Sequence, residues 1–168
     1  MEYKGTVAVI GASFIDKKTE KKAIKVGRLL AENGYIVSCG GLGGVMEAVC
    51  KGAKQADGTT IGIIPQKNKS AANPYVDIAI PVPFSHARNL VVVLSGDVIV
   101  AISGKAGTLS EIAFAWIYNK KIVAFTGIEG WADKMANTQV DDRRSDIVYG
   151  AKTPKLVIQK VNELFKTI

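Results

Sequence analysis

The sequence predicts an α/β domain: a mostly parallel sheet with helices packed on both of its faces. Three observations carry that expectation. Short runs rich in valine and isoleucine alternate with helix-length amphipathic stretches from end to end. The runs are apolar at nearly every position rather than at every second one, the pattern of strands buried on both faces. Glycine-rich turns follow several of them, and such sheets bind ligands beyond the carboxyl ends of their strands.

The elements follow in order. Thr6–Ile10 reads as the first strand, and a helix then runs from about Thr19 to Asn33, ending at Gly34, a residue suited to a helix C-terminus. Tyr35–Ser38 is a second strand, Gly43 to about Gln55 a second helix, and Thr60–Ile64 a third strand closed by Pro65. Gln66–Pro74 reads as a polar loop, Tyr75–Val82 as a strand and His86–Ser95 as a helix. Asp97–Ile102 and Lys121–Thr126 are strands flanking a helix over Leu109–Asn119. A short strand near Ile147–Val148 precedes a closing helix, Pro154–Phe165, with proline at its first turn. No composition shift, repeat or low-complexity tract divides the chain, so residues 1–168 are read as one domain.

Composition narrows the function classes. With 48% hydrophobic and 22% charged residues the chain is that of a globular protein. No apolar run approaches the ~18 residues of a membrane helix, and the chain passes directly into a strand, so a cytoplasmic location without membrane contact is expected. Cys39 and Cys50 form no CxxC pair and have no histidine nearby, which favours reduced thiols over a metal site; no metal is expected. Much of the net charge of +7 lies in Lys17, Lys18, Lys21, Lys22, Lys25 and Arg28. These read as a solvated helix face, since no aromatics interleave with them as in a nucleic-acid groove. Their field still favours anionic ligands.

Three loops leave strand ends on the same predicted edge. Gly11-Ala12-Ser13 lacks the GxGxxG spacing of a dinucleotide fingerprint; it suits either a tight turn or a turn whose Ser13 bonds a phosphate oxygen. Cys39-Gly40-Gly41-Leu42-Gly43-Gly44 places four glycines in five positions, an entropic cost that points to close ligand approach at a helix start. The run Ser103-Gly104-Lys105-Ala106-Gly107-Thr108-Leu109-Ser110-Glu111 is the most informative. It joins a strand to a helix, where unpaired N–H groups and the positive dipole end receive anions, with the Glu111 carboxylate one turn inside. Thr108 and Glu111 also fit a capping box, in which Thr108 caps the helix and Glu111 reaches back. Between these loops, Arg88 stands near a helix start, an uncommon place for a cation unless it meets an anion or a carboxylate. His86, the only histidine, is read as a surface or capping residue as readily as a catalytic one. Asp133 and Asp141 to Arg144 are read as a solvated loop.

Arg88, Gly104–Glu111 and the Gly40–Gly44 cluster together resemble the LONELY GUY (LOG) family, long mislabelled as lysine decarboxylases. That family's pattern is PGGxGTxxE, preceded by MHxRK; Gly104, Gly107, Thr108 and Glu111 match the first, His86 and Arg88 the second. Ser103, Lys105 and Asn89 stand where the pattern has proline, glycine and lysine. The form GxAGTLSE looks closer to a neighbouring branch that includes molybdenum-cofactor carrier proteins and DprA-related proteins. The resemblance implies a Rossmann-like three-layer sandwich and a nucleotide-like anionic ligand. In a LOG-like hydrolase, nucleoside 5′-monophosphates are cleaved to base and ribose 5-phosphate. Glu111 would then act at the ribose or on water, Arg88 would hold the phosphate or orient Glu111, and Gly11, Ser13, Gly40, Gly41, Gly43, Gly44, Ser103, Gly104, Lys105, Gly107 and Thr108 would surround the phosphate. In a carrier, a molybdopterin-type phosphate is held intact and no further cofactor is required. The DprA kinship and the net charge make single-stranded DNA a remoter partner. The resemblance also implies a dimer or tetramer formed through the helices beside the glutamate motif, with Phe114, Trp116 and Ile117 as candidate contacts.

Overall fold

A computed structural model describes residues 3–168. Seven parallel strands form one sheet in the order β4-β3-β2-β1-β5-β6-β7: β1 Gly5–Gly11, β2 Tyr35–Cys39, β3 Thr60–Ile64, β4 Ile78–Pro81, β5 Val98–Ile102, β6 Lys121–Phe125 and β7 Tyr149–Ala151. Six helices alternate with them: α1 Lys17–Glu32, α2 Val45–Lys54, α3 Arg88–Leu94, α4 Ala106–Ile117, α5 Trp131–Met135 and α6 Pro154–Leu164. Helices α1, α2 and α6 pack on one face, through residues such as Val26, Leu30, Val49 and Val161. Helices α3, α4 and α5 cover the other, through Val92, Val93, Ile112, Ala115 and Ala132. The result is the parallel sheet covered on both faces that the apolar strand runs predict, and the Rossmann-like three-layer sandwich that the resemblance implies.

The chain builds the sheet outward from β1 to β4, then crosses back to lay β5 on the other side of β1. That reversal makes the β1/β5 seam the topological switch point, where helices on opposite faces part and leave a crevice. Gly11 pairs with Ile102 at the seam's carboxyl end. A Cβ on Gly11 would lie 2.4 Å from the Ile102 carbonyl oxygen, so only glycine fits there.

Several boundaries differ from the sequence reading, each for a local reason. The expected strand over Tyr75–Val82 shortens to Ile78–Pro81 because side chains occupy its start. The Asp77 carboxylate accepts from the Thr60 amide (2.9 Å), and the Thr60 hydroxyl donates to the Tyr75 carbonyl (2.6 Å). The last strand is Tyr149–Ala151 rather than Ile147–Val148, since the Asp146 carboxylate already takes the Ile147 amide. The polar loop contains a single 3-10 turn, Lys69–Ala71, and another, Ser85–Ala87, leads into α3. The short helix α5 stands where the sequence reads a solvated loop at Asp133; its amides at Trp131 and Ala132 bond the carbonyls of Gly104 and Ser103, a tertiary contact without local signature.

The segment read as a solvated loop is partly clamped. The Arg144 side chain, 12% exposed, lies 3.9 Å from the Trp116 ring centroid and 3.4 Å from the Asp146 carboxylate. The Trp116 indole donates to Asp141 at 2.7 Å. Trp116 is therefore a buried anchor for residues 141–146 and not a contact for a second subunit. The basic helix keeps its expected solvated face, with Lys17, Lys18, Lys21, Lys25 and Arg28 exposed.

Helices α1 and α2 touch backbone to backbone. A Cβ on Gly52 would stand 1.9 Å from the Ile24 carbonyl oxygen, and one on Gly27 2.0 Å from that of Val49. Gly52→Val must push the helices apart, and overpacking of this kind typically removes about 1–3 kcal/mol. Thermal denaturation should show a melting temperature lower by roughly 2–12 °C.

Candidate functional site

A cavity of about 400 Å³ opens at the carboxyl end of the β1/β5 seam. Its floor is the end of β1, Val9 to Gly11, continued by Ala12, Ser13 and Phe14. One wall is Gly40 at the end of β2 with Met46 of α2. The other is the start of α3, Arg88 and Asn89, and the first turns of α4, Lys105, Gly107, Thr108 and Glu111. His86 completes the mouth. The volume lies in the range of small-molecule and cofactor sites.

Helix α4 begins at Ala106, three residues before the expected start, and this changes the role of two side chains. Lys105 is the N-cap and supplies no side-chain cap bond. Thr108 lies inside the first turn, buried, with its side chain packed over Gly104. Glu111 falls well into the helix and is 7% exposed. The capping-box reading is therefore corrected: neither residue caps the helix. The first-turn amides of α4 have no side-chain acceptor, and Lys105, Gly107 and Thr108 of this turn line the cavity. A Cβ on Gly107 would meet nothing closer than Asn89 at 4.0 Å, so packing does not demand this glycine.

Gly40 serves Arg88. A Cβ at position 40 would stand 2.0 Å from an Arg88 guanidinium nitrogen and 2.7 Å from the Met46 sulfur. The missing side chain thus gives the guanidinium its place across the cavity from α4. Asn89, buried, donates to the Ser110 hydroxyl at 3.0 Å and ties α3 to α4. Arg88 and Glu111 influence each other electrostatically, yet among the described residues neither makes a hydrogen bond or ion pair. Burial, opposed by Arg88, pushes the Glu111 carboxyl up to about 8. Burial lowers the Arg88 pKa from its ordinary value, but that value lies so high that the guanidinium stays charged at neutral pH. At neutral pH the cavity thus presents a cation, Arg88, a second cation at its rim, Lys105, and a carboxyl held in its neutral form.

The remaining predicted residues stand elsewhere. Gly41 (φ 70°) packs on Gly62 and Ile64, and Gly44 (φ 66°) on Ala12 and Ser13. The Val45 amide at the start of α2 bonds the Ala12 carbonyl at 2.9 Å, so that helix end already has an acceptor. Gly43 is open, with Ser13 at 3.6 Å. Ser103, at φ 58°, turns its hydroxyl to the Glu129 carbonyl at 2.7 Å. Gly104 (φ 100°) makes room for Thr108. Gly41, Gly43, Gly44, Ser103 and Gly104 therefore shape the loops without lining the main cavity. Phe14 and Met46 also line it, and neither is a candidate from the sequence; Asn89, known there only as a departure from the family pattern, lines it too, and only the position of Phe14, just beyond a strand-end loop, signals this in sequence. No group of three or more His, Cys, Asp or Glu capable of holding a metal occurs among the described residues. Among them, too, no helix is long and apolar enough to cross a membrane.

The chain is a Rossmann-like α/β domain whose switch-point cavity carries Arg88 and Lys105. The chain belongs to the SLOG cluster4 family, whose model matches residues 4–158. An uncharacterized protein of Archaeoglobus fulgidus is 43% identical over 118 residues, 70% of this chain and 78% of that one. The molybdenum cofactor binding protein of the phototrophic bacterium Rippkaea orientalis superimposes with a TM-score of 0.85, at 33% identity, over 98% of both chains. The molybdenum cofactor carrier protein of Chlamydomonas reinhardtii gives 0.84 at 31% identity, over 96% of this chain and 99% of that one. DNA processing protein A of Helicobacter pylori, at 20% identity and a TM-score of 0.65, shares the fold alone; 98% of this chain aligns with 82% of that one.

The raised Glu111 pKa has a stability consequence. Between its ordinary value of 4.5 and about 8 the unfolded chain releases this proton while the folded chain keeps it. The folded state then binds more protons, so the Glu111 contribution to stability falls as pH rises through this window. Glu111→Gln removes the dependence. Its melting temperature relative to the parent should climb by several degrees from pH 5 to pH 8, as read by scanning calorimetry.

Proposed function

We propose that this protein binds a phosphorylated planar heterocycle in the switch-point cavity and holds it as a carrier or sensor, with a molybdopterin-type phosphate as the favoured ligand. The observation that carries this reading is the pairing of Arg88 with the uncapped first turn of α4 across one cavity, with Glu111 kept neutral by burial. A phosphate there would accept from α4 amides and the guanidinium at once. Full-length similarity above 30% identity to two proteins described as molybdenum cofactor binders supports the choice of ligand.

A second reading, cleavage of nucleoside 5′-monophosphates, rests on Glu111. In that step the C1′–N bond breaks with its electron pair going to the base, which takes the carboxyl proton. Water adds to C1′ and returns a proton to Glu111, leaving ribose 5-phosphate. A neutral acid buried in the cavity wall is what such a donor needs.

Incubation with a panel of nucleoside monophosphates, read by chromatography for free base, separates the two. Protection of the fold against heat without base release supports the carrier. Base release that Glu111→Gln abolishes supports the hydrolase. In either case Arg88→Ala should weaken phosphate-ligand binding by roughly 30-fold or more, the usual effect of deleting a buried, hydrogen-bonding charge, measured by titration calorimetry.

Self-association forms part of the proposal. Ile78 and Ile80 of the edge strand pair with Ile61 and Ile63, so they stand on the α3/α4 side of the sheet, where no helix covers them. Val91 and Leu94 of α3 and Ile117 of α4 are exposed on the same side. We assign this face to a second copy of the chain, giving a dimer or a tetramer. Leu94→Asp combined with Ile117→Asp should shift the molecule to monomer in analytical ultracentrifugation. Both thiols are free and buried, with their sulfurs 3.5 Å apart, a pair that suits a reducing, cytoplasmic setting.

A further inference from the structure

Phe14 is 94% exposed, more than any other large apolar residue among those described. Its neighbours give it no freedom to hide. The Ala12 carbonyl is tied to the α2 amide, Ser13 packs against Gly44, Ile15 enters the core, and Asp16 caps α1 by accepting from the Thr19 amide at 2.7 Å. The backbone on both sides of Phe14 is therefore fixed, and the ring is held outward. Leaving such a ring in water forgoes apolar burial that neighbouring Ile15 obtains.

Its position gives the ring a use. Phe14 is shared between the main cavity and a smaller one of about 250 Å³, lined on its far side by Glu20, Glu47 and Lys51. Arg88 and the α4 amides lie on one side of the ring and two carboxylates on the other. The first side pairs a guanidinium with free helix amides, whereas on the second Lys51 is set against two carboxylates, so a phosphate is drawn to the first.

We propose that Phe14 is the stacking platform for the heterocycle, and so the residue that separates phosphorylated heterocycles from simple sugar phosphates. This inference rests on the proposed function. Aromatic faces accept any flat ring, so the ligand class is a planar heterocycle carrying a phosphate on a short polar arm, whether purine nucleotide or pterin phosphate.

The test is titration calorimetry of the full chain, Phe14→Ala and Phe14→Trp with four probes: AMP, GMP, neopterin monophosphate and ribose 5-phosphate. An exposed position makes normal folding of both variants the expectation, checked by an unchanged melting temperature. Phe14→Ala should lose about 5- to 150-fold in affinity for whichever heterocyclic probes bind the parent. It should keep ribose 5-phosphate within about twofold, and Phe14→Trp should restore or exceed parental affinity. The probe with the largest loss identifies the ring as purine or pterin. Unchanged heterocycle affinity in Phe14→Ala overturns the platform and leaves the proposed function standing. An equal loss for ribose 5-phosphate overturns it too, because the residue then shapes the phosphate loop. A change in oligomeric state without a change in affinity assigns Phe14 to a subunit contact and overturns it. No binding of any probe by the parent chain defeats the proposed function itself, and the platform with it.

Discussion

The two-sided pairing of β1 is the constraint on which the fold and the cavity both depend. This strand bonds to β2 on one side and β5 on the other, and its residues Val7 to Ile10 are sealed from solvent by both helical layers. Every backbone group there must find its partner in the sheet, since none reaches water. Once β5 has taken its place, α3 and α4 must start on one face while α1 and α2 start on the other. The crevice between them follows from topology alone. Gly11, at the end of this seam, admits only the closest backbone approach.

Burial then sets the chemistry of what the crevice contains. Glu111 and Arg88 are both largely removed from water and do not touch, so neither fully offsets the desolvation of the other. The carboxyl yields by keeping its proton, while the guanidinium, whose ordinary pKa lies far higher, keeps its charge. A cavity that holds an acid and a base in sequence thereby presents net positive character in the fold.

The loops that carry the site are held by contacts of a different kind from those that hold the layers. The backbone bonds from Trp131 and Ala132 to residues 104 and 103 brace the turn before α4 from behind, while the Arg144–Trp116–Asp141 clamp holds the other end of that helix. Asn89 braces it from the side through Ser110. The uncapped turn at Ala106 therefore keeps its geometry without using its own amides for support.

The strands, their parallel arrangement and the edge that bears the loops were legible in the sequence because they follow from local composition. Near-continuous Val and Ile runs require cover on both faces, and β3 is found over the expected residues, Thr60–Ile64. Arg88 and Glu111 were legible by residue type, as charged groups beside helix starts. What the sequence could not show was which way each pointed. Thr108 and Glu111 have the spacing of a capping box, and local physics favours that pairing. Tertiary contacts instead start α4 three residues earlier and turn both side chains inward. The same limit applies to the glycines, since spacing does not tell Gly40, which makes room for Arg88, from Gly41 and Gly44, which serve packing and turn geometry. Strand order, the neutral state of Glu111 and the outward hold on Phe14 depend on groups far apart in the chain. Only the folded sheet brings those groups within reach of one another.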